Sequence, residues 1–181
     1  MTGLTAVAAL IDRVNRALGR AVAWLAAVMV VVQFTVVLMH HVFGLGSIFA
    51  QESIVYMHAV LFMAAAGYTL LRDGHVRVDI FYTGAEPNTQ ARVDFAGAVC
   101  LLMPVCLLVW WVAWPYVSAS WAVLEGSRET SGIQAVFLLK SVILLFAATL
   151  GAQGVSLAVN SALTLSGHPP PDREQHAEEM V

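Results

Sequence analysis

Four stretches of this chain, residues 21–39, 53–71, 95–124 and 133–163, are long and apolar enough to cross a lipid bilayer. Lys140 is the one Lys, Arg, Asp or Glu in all four. A backbone in hydrocarbon must satisfy its own hydrogen bonds, and uninterrupted apolar runs do so as helices. Only 12% of the residues are charged and 59% are hydrophobic, against about 25% charged in soluble domains. The expected fold is therefore an all-α integral membrane protein with four transmembrane helices in one membrane domain. A net charge of −3 is too small and too mixed to suggest nucleic acid.

The first span is broken only by Gln33 and Thr35 and measures roughly 28 Å. A connection through His40, His41 and Gly44-Leu45-Gly46-Ser47 leads to Gln51-Glu52 and the second span, which carries the small patch Ala64-Ala65-Ala66-Gly67. Glu86-Pro87-Asn88 closes a central loop from Arg72 to about Asp94, with Asn88 as the expected N-cap. The third and fourth spans overshoot a core of about 30 Å. They must tilt, extend beyond it, or, in the third, kink at Pro104 or Pro115. Trp110, Trp114 and Trp121 share one side of the third helix and read, with Trp111 and Tyr116, as an aromatic belt. In the fourth, Ala147/Gly151 and Ala148/Ala152 suit tight helix packing. Cys100 and Cys106 are six apart on one helix, a geometry without a disulfide, and read as apolar fillers.

Residues 1–20 form a different kind of segment. Leu4, Val7, Ile11, Val14 and Leu18 recur at helical spacing, and Arg13, Arg16 and Arg20 repeat on the opposite side. One apolar and one cationic face predict an N-terminal amphipathic interfacial helix, with the three arginines as its anchor. At the other end, His168-Pro169-Pro170-Pro171 stops any helix, and residues 166–181 are expected to be a disordered tail.

Four spans put both ends on one side. That side holds Arg13, Arg16, Arg20, Arg72, Arg77, Arg92 and Arg173, and the other only Arg128. The bias places both termini and the central loop in the cytoplasm, and the short loops with Glu52 and Glu125 outside.

Lys140 lies about eight residues inside the fourth span, where a cation must snorkel outward or pair with an outer carboxylate such as Glu52, Glu125 or a partner's. Gln33, Gln153 and Asn160 read as scattered intramembrane polar groups rather than a substrate path. His40 or His41 and His58 share an outer depth at which a single bis-His haem is conceivable. The alternative function is accordingly a membrane-anchor subunit of a redox complex. Catalytic pairs, metal clusters and phosphate loops are missing from the sequence, so neither an enzyme nor a resident cofactor is expected.

Several of these residues recur as one pattern. Glu52 with Tyr56, the small patch, Gly74-His75-Val76-Arg77-Val78-Asp79 with Phe81-Tyr82, Arg92-Val93-Asp94, Trp114-Pro115-Tyr116, Ser120-Trp121, Glu125-x-Ser127, Leu139-Lys140 and Gln153-Gly154 span roughly residues 10–163. The pattern resembles the small membrane subunit of tripartite ATP-independent periplasmic (TRAP) transporters, the DctQ type. One departure is Gln134, near where related sequences tend to have Pro. The resemblance implies a bacterial inner-membrane system of three parts for organic-acid uptake by symport. A periplasmic DctP-like protein binds an organic acid, typically a carboxylate. A large DctM-like membrane subunit carries the substrate and sodium sites. The small subunit is a non-catalytic scaffold.

Overall fold

The computed structural model describes residues 2–75, 82 and 84–168, and every regular element among them is helical. Four helical stretches are long and apolar enough to cross a membrane: Gly3–Phe43, Ile48–Leu71, Pro87–Ala122 and Val136–Leu165. The first is a single helix, α1 (Thr2–Phe43), 42 residues or roughly 63 Å long. The sequence divides at residue 20 into amphipathic segment and span, but the helix does not. Proline is missing from residues 2–43, so the backbone runs on. His40 and His41 therefore lie on α1, not in the connection. Gly44, at φ +65°, closes the helix, and the Gly44 and Leu45 N–H groups donate back to the carbonyls of His40 and Met39.

The next helix, α2 (Ile48–Ala64), is capped by Ser47, whose Oγ accepts the Ala50 N–H at 3.3 Å. It starts earlier than the apolar run does, because a capped helix needs only its later turns in lipid. Glu52 is consequently a helical residue rather than a loop residue. A break at Ala65 leads into α3 (Ala66–Leu71).

The third span is built from α4 (Pro87–Gly97), a π-helical segment (Ala98–Leu102) and α5 (Met103–Ala122). Pro87, not Asn88, sets its start. Glu86 is the N-cap and its carbonyl accepts the N–H groups of Thr89 and Gln90, while the proline sits where a missing N–H costs nothing. The π segment falls immediately before Pro104. Proline cannot donate to the carbonyl four residues back and its ring crowds it. The wider turn, with the Met103 N–H reaching the Ala98 carbonyl, takes up that misfit.

The last helix, α6 (Val136–Leu165), is the central post, packed against α1, α2, α3, α4, the π segment and α5. Small residues permit those approaches. A Cβ added at Gly151 would lie 3.3 Å from Cys106 Cβ, and one at Gly154 would lie 2.9 Å from Leu102 Cδ2. Ala66, Cys106 and Leu150 form the buried apolar centre, and both cysteines are free. Gly167, at φ +79°, ends α6, and the His168 N–H donates to the Leu163 carbonyl. Residues 169–181 of the expected tail lie outside the described residues.

One aromatic position, Trp121, differs from the expected belt. Trp110 and Trp114 stack at 6.2 Å, and Trp111 is 80% exposed. Trp121 instead turns onto α6, edge-on to Phe137 at 4.7 Å, and its Nε1 donates to Ser141 Oγ at 2.8 Å.

The small patch yields the first prediction. A Cβ on Gly67 would lie 2.6 Å from Asn15 Oδ1 and 2.8 Å from the Thr149 carbonyl oxygen, whereas Gly97 has nothing within 4 Å. Gly67→Ala should destabilise the chain by about 1–3 kcal/mol, an overpacking cost. Gly97→Ala should be neutral or stabilise by up to about 1 kcal/mol. Thermal unfolding in detergent, followed by tryptophan fluorescence, compares the two.

Candidate functional site

Polar side chains gather at two levels of α6, one near its start and one in its second half, named outer and inner after the orientation expected from the arginines. At the outer level the link between α5 and α6 folds back on three helices. Leu124, at φ +45°, turns the chain so that the Glu125 N–H reaches the Ser120 carbonyl at 3.0 Å. Ser120 Oγ donates to Glu125 Oε2 at 2.7 Å, and Lys140 Nζ from α6 pairs with the same oxygen. Lys140 also stands 4.1 Å from the centre of the Tyr116 ring. The Glu125 carbonyl accepts the Phe137 N–H at 3.3 Å, satisfying one orphan donor of the first turn of α6, which has no side-chain cap.

Glu52 fastens the other side of that link to α2. Its Oε1 accepts from Ser127 Oγ at 2.5 Å and its Oε2 from the Ile133 N–H at 2.6 Å. Tyr56, one turn on, donates its hydroxyl to the Ile133 carbonyl at 3.4 Å. Gly132 is required there, since a Cβ would fall 2.3 Å from Ser127 Oγ and 2.6 Å from Glu52 Oε2. Gln134 Nε2 donates to the Glu129 carbonyl at 3.3 Å, so the link stays irregular and α6 begins at Val136. Lys140 is thereby placed in the second turn of α6, nearer the outer end than the apolar run suggests. Its side chain is 15% exposed and that of Glu125 39%. Of the two fates open to this lysine, the structure has it paired.

At the inner level Gln153 and Asn160 belong to a network, Asn160 through Nδ2 to Ser156 Oγ at 3.5 Å, which corrects the reading of these two as scattered, while Gln33 stays exposed on α1. Gln153 on α6 donates through Nε2 to Asp12 Oδ1 at 2.8 Å and accepts through Oε1 from Asn15 Nδ2 at 2.8 Å. Ser156 Oγ donates to the same Asp12 oxygen at 2.6 Å, and Asn15 Nδ2 also reaches the Thr149 carbonyl at 3.3 Å. Asn15 is 2% and Gln153 3% exposed. Asp12, Asn15 and Ser156 escaped the sequence analysis. The signal was present, because Ala8, Asp12, Asn15 and Gly19 follow one another at 4, 3 and 4 residues as a small-and-polar stripe. That stripe, not the apolar one, faces the protein. Leu4, Val7, Leu10 and Val14 remain exposed, as do Arg13 and Arg20, with Arg16 half-buried.

Of the central loop, Gly74 and His75 are described and His75 is exposed, while Arg77 and Asp79 lie outside the described residues. The expected extended edge over 75–80 falls largely there too. Asp94 on α4 accepts the Tyr82 hydroxyl on both oxygens at 2.9 Å, and Gln90 Nε2 donates to the carbonyls of Tyr82 and Ala85. Arg92 is exposed on the same helix. The outer histidines are occupied locally. His41 Nδ1 is 3.0 Å from the Val37 carbonyl oxygen, and His58 stacks on Phe62 at 6.2 Å. Among the described residues, groups of three or more His, Cys, Asp or Glu that could hold a metal are missing.

Glu125 sits outside the spans, and the hydrogen bonds from Lys140 and then Ser120 hold its carboxyl below the usual carboxylate range. A carboxyl titrating lower in the folded chain than in the unfolded one stabilises fully above its unfolded pKa and loses that contribution as pH falls through the folded pKa. Lys140→Met should therefore lower the melting temperature at neutral pH. Glu125→Gln added to it should recover part of the loss, because no unpaired carboxylate is left. On acidification below the usual carboxylate range, the unmutated chain should lose stability more steeply than the double variant. Melting curves across that window check all three.

The comparisons agree with this architecture. The family model described as tripartite ATP-independent periplasmic transporters, DctQ component, matches residues 29–164. No curated protein and no solved structure matches the chain. The matched region takes in all but the last residue of α6, the central loop and only the last third of α1, leaving Asp12 and Asn15 outside it, and the chain belongs to the DctQ family, the small component of TRAP transporters.

Proposed function

We propose that this chain is the non-catalytic scaffold subunit of a sodium-coupled secondary transporter that imports an organic acid, a carboxylate, across the bacterial inner membrane. Its partners are a large DctM-like membrane subunit, which holds the substrate and sodium sites, and a periplasmic DctP-like binding protein. The observation that carries this reading is the fate of the polar groups in and beside the spans. Glu52, Lys140, Asn15 and Gln153 bond to other parts of the same chain. A translocation path presents such groups to a cavity; here they tie helices together.

Two further features suit a brace. The outward faces are apolar and broad, with Trp24, Phe34, Leu107 and Trp111 each more than two-thirds exposed. The arginines of the first half of α1, together with the exposed stripe Leu4, Val7, Leu10 and Val14, suit a helix held at the cytoplasmic interface. In that orientation both termini and the central loop are cytoplasmic, and the Glu52–Glu125–Lys140 level faces the periplasm beside the binding protein.

Reconstitution into liposomes tests the proposal. The chain alone should give no carboxylate uptake. The chain with its large subunit and binding protein should give uptake that depends on a sodium gradient, and omission of the chain should abolish it. Uptake by the chain alone, or full uptake without it, would contradict the scaffold role.

A further inference from the structure

One intramembrane amide finds no partner among the described residues. Gln33 is exposed on α1 and makes no hydrogen bond to any of them. It stands roughly 20 Å along the helix from Arg20 and roughly 15 Å from Phe43, the last residue of α1. Its side chain is too short to reach water over either distance. Thr35, two residues on, shows the local solution open to a hydroxyl, its Oγ1 donating to the Val31 carbonyl at 2.8 Å. Lipid tails offer an amide neither donor nor acceptor, so leaving Gln33 against them is costly.

The position of Gln33 on the helix indicates what meets it. Ala8, Asp12, Asn15 and Gly19 form a stripe that the rest of the chain covers, Asp12 and Asn15 through Gln153 of α6 and Gly19 through Tyr68. Seven residues make nearly two full turns. Ala26 and Gln33, at seven-residue steps from Gly19, therefore carry the same stripe towards the outer end. In the lower half Ala8, Asn15 and Gly19 are buried, whereas Ala26 and Gln33 in the upper half are exposed. Val30 and Val37, on the same side, are 69% and 44% exposed, so the open strip runs on past Gln33. Small residues let a second helix backbone approach, and side-chain amides bond across helices in a membrane. The lower half of the stripe already holds α6 in this way. Its upper half has the same composition and turns it outward.

We propose that Ala26, Val30, Gln33 and Val37 seat a membrane helix of the large subunit, one that brings a polar side chain to the Gln33 amide. This inference rests on the scaffold reading, which requires a contact with the large subunit within the membrane, and it names the face that makes it. An unmet amide on an outward face is where such a contact gains most over lipid.

Förster energy transfer between the labelled full chain and its labelled large DctM-like subunit in liposomes, titrated by protein-to-lipid ratio, tests the face. Gln33→Leu should weaken association about three- to tenfold, the range of an interhelical hydrogen bond in a membrane. Ala26→Phe, which places a ring in the seat, should weaken it by about tenfold or more. Val31→Phe, 64% exposed on the opposite side of α1 from Gln33, should leave it unchanged. The melting temperature of the isolated chain should not fall in Gln33→Leu, since the amide bonds nothing within the chain; a fall would make Gln33 an internal tie and overturn the proposal. Normal association of the unmutated pair with equal affinity in all three variants would overturn the docking face and leave the scaffold reading standing. A lack of association in the unmutated pair would overturn both. Transfer between two labelled copies of the chain that Gln33→Leu abolishes would give the seat to a second copy and overturn the large-subunit assignment.

Discussion

The amide of Gln153 is the contact on which the rest of the fold depends. It bonds at both ends to α1, donating a hydrogen bond to Asp12 and accepting one from Asn15. In a bilayer, helices gain little by burying apolar side chains against one another, because lipid tails are equally apolar. What holds α1 to α6 must be packing of small residues and polar contacts that have no better partner in lipid. Both coincide here. Gly67 admits Asn15 into the space between α3 and α6, and Ala64 and Ala66 are buried beside it. Replacing any member leaves a buried amide or carboxylate without its donor or acceptor, a cost of about 1–3 kcal/mol.

The second polar level fixes the opposite end of the same post. Glu52 from α2 and Glu125 from the α5–α6 link act as carboxylate clasps, one on loop donors and one on Lys140. α6 is thus held near its start by the Lys140–Glu125 pair and in its second half by the bonds of Gln153 and Ser156 to α1, with a mainly apolar stretch between. Such a post resists sliding along its own axis, a property that suits the scaffold role proposed for the chain. Its polar groups are engaged internally, and its outward faces are apolar enough for lipid or another membrane subunit.

Much of this was legible in the sequence and some of it was not, for identifiable reasons. The four spans follow from apolar runs whose length is dictated by the bilayer, and the small patch at 64–67 is a local property of four residues. The resemblance pointed to Glu52, Glu125, Lys140 and Gln153 as important positions. Glu125 was already among the candidate partners of Lys140, but the partners of Glu52 were hidden, because it meets Ser127 and Ile133 across 75 and 81 residues and no spacing rule reaches so far. The division of α1 at residue 20 marked a change in composition that the backbone ignores. Asn88 looked like a cap, but the neighbouring proline has the stronger preference for the first helical position. Asp12 and Asn15 share their segment with three arginines, whose cationic face is a stronger periodic signal than a stripe of four small and polar residues.

The central claim is that the intramembrane polar groups tie helices rather than line a path. A double-mutant cycle between Asn15 and Gln153, using Asn15→Leu, Gln153→Leu and the pair, measures it directly by equilibrium unfolding of the purified chain in micelles. A coupling of about 1 kcal/mol is expected for a buried interhelical hydrogen bond in a membrane protein. Strict additivity of the two substitutions, with uptake by the assembled system nonetheless lost, would contradict the account, because it would mean that these side chains serve transport and not the fold.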